Sequence, residues 1–441
     1  ASMTKLVMQQ APAPAIPQRF LLTASVWGTV AGGLLLWDGN AALASRWSST
    51  SLAVVHAVTL GFLGNAMFGS LLQFLPVAAQ VPVRGGGKAA WTLYGVLNLG
   101  ALLLVLALRW PLLLPPQIAG TLLLLAFSLL LAMLLPGLWA SQGQRFLRWG
   151  IACALLAAQL TALLGFVLTL TRAGQVSLAL PRWTDVHASW GVFGWVLGLL
   201  AAVSRVVAPM FQGTLPASIR IQTLWQAALY GVLLAALLAA CANLALPGFR
   251  VALGMLVGVF GLGGLLLQWR AAKLRAVPLT WFWGAGLLVL LAAAVVMSWR
   301  SDDGILAGTL LLLIGLPMLV TGMQLEICGF LAWIDLQRRC GRGVRLPGVQ
   351  LLVPARDKYV VLTLQLLAGL TLVMALLRLI PANVAGAVLG LAHLATVAAQ
   401  VAVQRRAYRY VQQHQTITTV TSGRQHNDRT SSRPDASARG H

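Results

Sequence analysis

The sequence predicts an all-α fold: a polytopic membrane protein built as a twelve-helix transmembrane bundle. Three observations predict it. Of the 441 residues, 59% are hydrophobic and only 9% are charged, a balance that water-soluble domains do not reach. The hydrophobic residues gather in twelve runs, each close to or beyond the ~20 residues that cross a ~30 Å hydrocarbon layer. Leucine and alanine dominate these runs and proline is rare inside them, which suits helices rather than barrel strands.

Taken in order, residues 1–19 form a polar, proline-containing lead expected to be a cytoplasmic tail without a cleavable signal peptide. The transmembrane domain covers 20–404. Its spans are expected at 20–38, 51–79, 89–108, 114–139, 149–171, 185–211, 222–246, 250–268, 279–299, 304–334, 358–380 and 383–404. Trp47, Trp110, Trp139, Trp149, Trp183, Trp269 and Trp299 fall at run ends, where an interfacial belt belongs. Residues 405–441 are basic and polar and are expected to be a disordered cytoplasmic tail.

The net charge of +22 does not mark a nucleic-acid binder, because the cations sit in loops and tail between apolar runs. That placement is a topology signal, with some attraction to anionic membrane lipid. About 23 positive residues fall on the side of the two tails and the loops after even spans, against about seven on the other side. Both termini are therefore expected in the cytoplasm, with Arg338, Arg339, Arg342 and Arg345 after span 10 as the strongest vote and Asp302 and Asp303 on the outer side. Cys153, Cys241, Cys328 and Cys340 have no CxxC spacing and read as free thiols.

Candidate chemistry begins with two intramembrane histidines. His56 lies one to two turns below the outer face in span 2, and His187 lies at similar depth in span 6. Imidazole is a common ligand of haem iron and of copper. The pair either holds a metal or haem, or each ring hydrogen-bonds a neighbouring helix and nothing more. Gly61, Gly64 and Gly69 in span 2 and Gly191, Gly194 and Gly198 in span 6 offer room against a porphyrin, with Phe62, Trp190, Phe193 and Trp195 to cover it. His393, near mid-membrane in span 12, is a third ligand, a proton carrier or a core histidine. Asp185 either fixes the His187 tautomer or faces outer water.

Arg205 and Glu326 are charged residues in the cytoplasmic half of spans 6 and 10. They are expected either to form an ion pair tying those spans or, through Glu326 with Gln324, Gln73 and Asn65, to start a proton or cation path. Met210 and Met323 are soft thioethers that suit core packing or copper(I). Spans 2 and 6 resemble each other: His56 precedes Gly61 and Pro76, and His187 precedes Gly191 and Pro209, four spans later. A four-span repeat would make span 10, with Pro317, the third member of a pseudo-threefold plan.

Twelve spans, both termini inside, and the stretches HAVTLGFLGNAMFGSLLQFLPV and HASWGVFGWVLGLLAAVSRVVAPMFQ resemble subunit I of the haem–copper oxidase superfamily. The resemblance extends to divergent bacterial relatives such as nitric-oxide reductases and NnrS-type haem/copper membrane proteins. It implies that His56 matches a low-spin haem ligand and His187 a copper ligand. The adjacent histidines of span 7 and the two histidines of span 10 in that family are absent, which implies no complete oxygen-reducing centre and no terminal oxidase. The expectation is a multi-pass protein of a bacterial inner membrane that binds haem, with copper as a further candidate, through His56 and His187. Its role would be electron transfer, binding of a gas such as nitric oxide, or respiratory assembly, with other respiratory membrane proteins as partners. The alternatives are a proton- or ion-coupled transporter or channel, and a structural subunit without a cofactor.

Overall fold

The computed structural model describes residues 12–275, 277–299, 304–340 and 345–431. Asp302, Asp303 and Arg342 lie outside the described residues, as do residues 1–11 and 432–441 of the two tails. Among the described residues the chain is helical without strands, and twelve helices are long and apolar enough to cross a membrane. They run Ala15–Leu43, Ser49–Ala78, Gly86–Arg109, Pro116–Ala140, Arg145–Arg172, Leu180–Gln212, Ile219–Cys241, Phe249–Trp269, Val277–Trp299, Ile305–Cys340, Ala355–Leu376 and Ala382–Gln413. The protein is a multi-pass membrane protein.

Local chemistry sets several of the boundaries. Ser48 caps span 2 by accepting from the Ser51 amide at 3.1 Å. Proline opens span 4 at Pro116, where its missing N–H costs no helical hydrogen bond. Of the tryptophans expected at the interfaces, Trp47, Trp110, Trp139, Trp149, Trp269 and Trp299 are exposed at or beside span ends. Arg46 and Arg109 lie over Trp47 and Trp110, which places cation–π contacts at the outer rim.

Spans 2, 6 and 10 are the centre of the bundle. Their apolar windows are 72%, 67% and 83% buried, whereas those of spans 7 and 8 are 22% buried. Spans 7 and 8 turn residues such as Leu224, Leu238, Met255 and Val259 outward, as a lipid-facing wall does. The three central spans share a local departure from α geometry. Each contains a π-helical stretch: Ala57–Gly64, Trp190–Leu197 and Thr309–Gly315. A π turn leaves backbone carbonyls short of partners. The Asn65 amide donates to the Gly61 carbonyl at 2.8 Å, and the Tyr230 hydroxyl of span 7 donates to the Gly194 carbonyl at 3.0 Å.

Spans 1 and 12 close the bundle by backbone approach. A Cβ added at Gly32 would lie 2.3 Å from the Gly390 nitrogen, and one at Gly386 would lie 2.3 Å from the Leu36 nitrogen. With Gly28, these glycines form a small-xxx-small stripe on each helix, the sequence pattern of tight helix pairs in lipid.

The C-terminal segment differs from the expected disordered tail. The last helix continues to Ser431. Its beginning is part of the fold: Val403, Ala407 and Val411 are buried against Leu352 and Val353, and Arg406 binds Asp357 at 2.6 Å. Apolar residues at four-residue spacing keep a helical face past the membrane run, which a reading based on overall polarity misses.

Candidate functional site

The two outer-half histidines do meet. The ring centres of His56 and His187 are 6.4 Å apart, with planes inclined by 21°. Both rings are half-buried. Spans 2 and 6 have no extended helix contact with each other; span 2 packs on spans 1, 3 and 10, and span 6 on spans 5, 7 and 9. The histidine rings and, further along, Phe68 against Trp195 join the two helices through side chains.

Each ring is oriented by one backbone carbonyl. His56 Nδ1 donates to the Leu52 carbonyl at 2.7 Å, one turn earlier in its own helix. His187 Nδ1 donates to the Thr161 carbonyl of span 5 at 3.0 Å. A carbonyl only accepts, so Nδ1 carries the proton in both rings, and in the neutral imidazole Nε2 bears the lone pair. This is the arrangement by which second-shell carbonyls prepare histidines as Nε2 ligands. Gly165 makes it feasible for His187: a Cβ there would stand 2.9 Å from His187 Cε1.

Of the two alternatives for Asp185, the structure favours the exposed one over the tautomer partner of His187. Asp185 pairs with Arg46 at 2.6 Å across the rim, and Thr161 orients the ring instead. That exposed pair ties the loop before span 2 to the start of span 6. Exposed pairs contribute at most ~1 kcal/mol, so its role is registration more than stability.

Five of the six glycines expected to make room for a porphyrin are spent on helix packing, and Gly64 meets only the Thr59 carbonyl of its own span. The space beside Gly61 is filled by Trp27, beside Gly69 by Phe20, beside Gly191 by Thr161, beside Gly194 by Ala157 and beside Gly198 by Tyr230. Of the aromatic residues expected to cover it, Phe62 packs edge-on against His393 at 4.9 Å, and Trp195 packs against Phe68 and Phe127. Room for a cofactor therefore has to come from the separation of spans 2 and 6, not from these glycines.

His393 is not brought to the pair. It is 2% exposed, its ring lies on Gly28 and Phe62, and its Nδ1 has no hydrogen-bond partner among the described residues. Among the described residues there is no group of three or more His, Cys, Asp or Glu placed to hold a metal. The donor set is thus two neutral imidazoles. Two protein donors leave a bare ion short of ligands, whereas a haem iron would bring four ligands of its own.

The proposed Arg205–Glu326 pair is also corrected. Glu326 binds Lys358 of span 11 at 2.5 Å, and both are buried. Arg205 donates to the Ala217 carbonyl and, at 3.1 Å, to Gln222 Oε1 in the connection to span 7 and that span's first turn. Lys358 sits in the first turn of span 11, so its long side chain reaches Glu326 from that end of the bundle. Asn65, expected in a polar path with Glu326, is satisfied by a reciprocal amide pair with Asn98 at 2.9 and 3.0 Å. Met210 and Met323 line an inner-half cavity, not the histidine pair.

Sequence reasoning missed Thr161, Gly165, Arg46 and Lys358. Arg46 and Lys358 carried a usable signal, since each is an isolated cation on the same side as an otherwise unpartnered acid. Thr161 and Gly165 carried none, because threonine and glycine one turn apart are ordinary in any membrane helix. Comparison with protein-family models and with curated proteins finds no match.

Proposed function

We propose that this protein is a membrane haem protein in which His56 and His187 would hold the haem, and that its role is electron transfer on a reduced haem–copper oxidase plan. The observation that carries the reading is the facing pair of imidazoles, 6.4 Å apart, each with Nδ1 committed to a backbone carbonyl. Haem, when bound there, supplies a one-electron redox couple. Spans 2 and 5 hold the two rings in a fixed tautomer and orientation, so neither has to reorganise as charge changes at the site. Two imidazoles offered to one haem would suit electron transfer better than gas binding. Copper between the same two nitrogens is the lesser candidate, because two donors under-fill its usual coordination.

The π-helical stretches in spans 2, 6 and 10, spaced by four spans, support a pseudo-threefold plan and with it the superfamily reading. The transporter alternative loses support from the ion pair of Glu326 with Lys358 and from the reciprocal amide hydrogen bonds of Asn65 with Asn98. The test is an absorption spectrum with metal analysis on purified protein. A Soret band and one iron per chain are expected, with the band lost in His56→Ala and in His187→Ala and kept in His393→Ala. Absence of bound iron and copper from protein made with haem supplied would refute the reading.

A further inference from the structure

A cavity of about 130 Å³ lies between spans 2, 6 and 10 at the end of the bundle away from the histidine pair, lined also by Trp283 of span 9 and Leu21 of span 1. Its wall is apolar apart from a few groups. Gln73 is 5% exposed, and neither of its amide atoms has a partner among the described residues. Trp283 Nε1 and Gln324 Oε1 are likewise buried without partners, although the Gln324 amide nitrogen is fixed by Ser25 and the Leu21 carbonyl. Burying an amide without a hydrogen bond costs several kcal/mol in an apolar medium. Here four such atoms, two donors and two acceptors, belong to three residues of three different spans that line one apolar space.

We propose that this cavity is a binding site for a neutral, one-ring lipophile bearing a carbonyl or hydroxyl group. The volume is that of a single aromatic ring, since cavities of ~150 Å³ take up benzene. The wall carries no charge, which excludes an ionic ligand. Gln73 offers both a donor and an acceptor, Trp283 a donor and Gln324 an acceptor, so a ring oxygen satisfies groups that an alkane leaves unpaired. Two sources share this chemistry: the ring of an isoprenoid membrane lipid, and a free small aromatic alcohol. The site is separate from the histidine pair and does not depend on its haem.

The test is ¹⁹F NMR of 4-fluorophenol with the full-length protein in lipid nanodiscs, read against empty nanodiscs. Saturable binding is expected, at least tenfold tighter than that of fluorobenzene. Gln73→Leu is expected to weaken it about tenfold, and Ala66→Phe, which fills the cavity, to abolish it. Gln73→Leu is also expected to raise the thermal midpoint of the ligand-free protein, so weakened binding is not misread as misfolding. Displacement of 4-fluorophenol by a decyl-substituted benzoquinone identifies the membrane lipid as the source, and failure to displace it identifies the free aromatic. No saturable binding, or binding unchanged in both variants, overturns the proposal.

Discussion

At the scale of single residues, the site depends on two carbonyls and one missing methyl. His187 reaches the Thr161 carbonyl only because Gly165 has no side chain to meet its Cε1. Gly165→Val places branched carbons where the ring lies, so the ring must leave the carbonyl. The expected outcome is loss of most bound cofactor with the thermal midpoint of the apoprotein little changed, because a half-buried helix position tolerates valine at a cost below ~1 kcal/mol. Cofactor stoichiometry and a thermal melt, taken together, check it. The histidines themselves were legible in the sequence, since an imidazole inside a membrane run stands out against leucine and alanine. Their supports were not, because a backbone carbonyl has no sequence identity and Gly165 is one of 44 glycines.

At the scale of elements, two contacts decide how spans sit together. The Glu326–Lys358 pair joins spans 10 and 11 in a buried setting. Removing one partner leaves the other charge without compensation, at a cost of ~3–5 kcal/mol, whereas replacing both with apolar residues is often neutral. Glu326→Gln is therefore expected to lower the thermal midpoint sharply, and Glu326→Met with Lys358→Met to restore it. A proton-path residue would behave otherwise, with function lost and stability kept in the single variant. The glycine stripe between spans 1 and 12 gives a second expectation. Gly32→Leu drives a side chain into the backbone at Gly390, and should reduce the yield of folded monomer on size-exclusion chromatography far more than Gly33→Leu, whose Cβ meets nothing within 4 Å. The span boundaries were largely readable, because run length and hydropathy suffice for them. The pairing of Glu326 was not: a sequence gives depth along each helix but not the face to which a side chain turns, so Arg205 and Lys358 were equally placed to reach it.

At the scale of the whole molecule, the division into a central trio and a peripheral wall organises everything else. Spans 2, 6 and 10 hold the histidine pair, the cavity and the π-helical stretches, and the other spans shield them from lipid. With twelve spans both termini are expected on one side, and the excess of arginine and lysine beside the even-span loops leads to the expectation that this side is the cytoplasm. Fusion of a cytoplasm-active reporter to either terminus should give signal, while fusion after Leu112 in the exposed turn between spans 3 and 4 should not. The early part of the C-terminal segment belongs to this molecule rather than hanging from it, as Arg406 and Tyr410 join it to the connection before span 11.

The π-helical stretch after His56 also has a mechanical meaning. One residue more or fewer in a helix turns everything beyond it by ~100°. The length of Ala57–Gly64 thus sets the angular phase between the histidine-bearing end of span 2 and the end that carries Gln73. The helix acts as a coupling with a slip joint, in which the outer site can be re-aimed by a single insertion or deletion while the inner face stays seated against its neighbours.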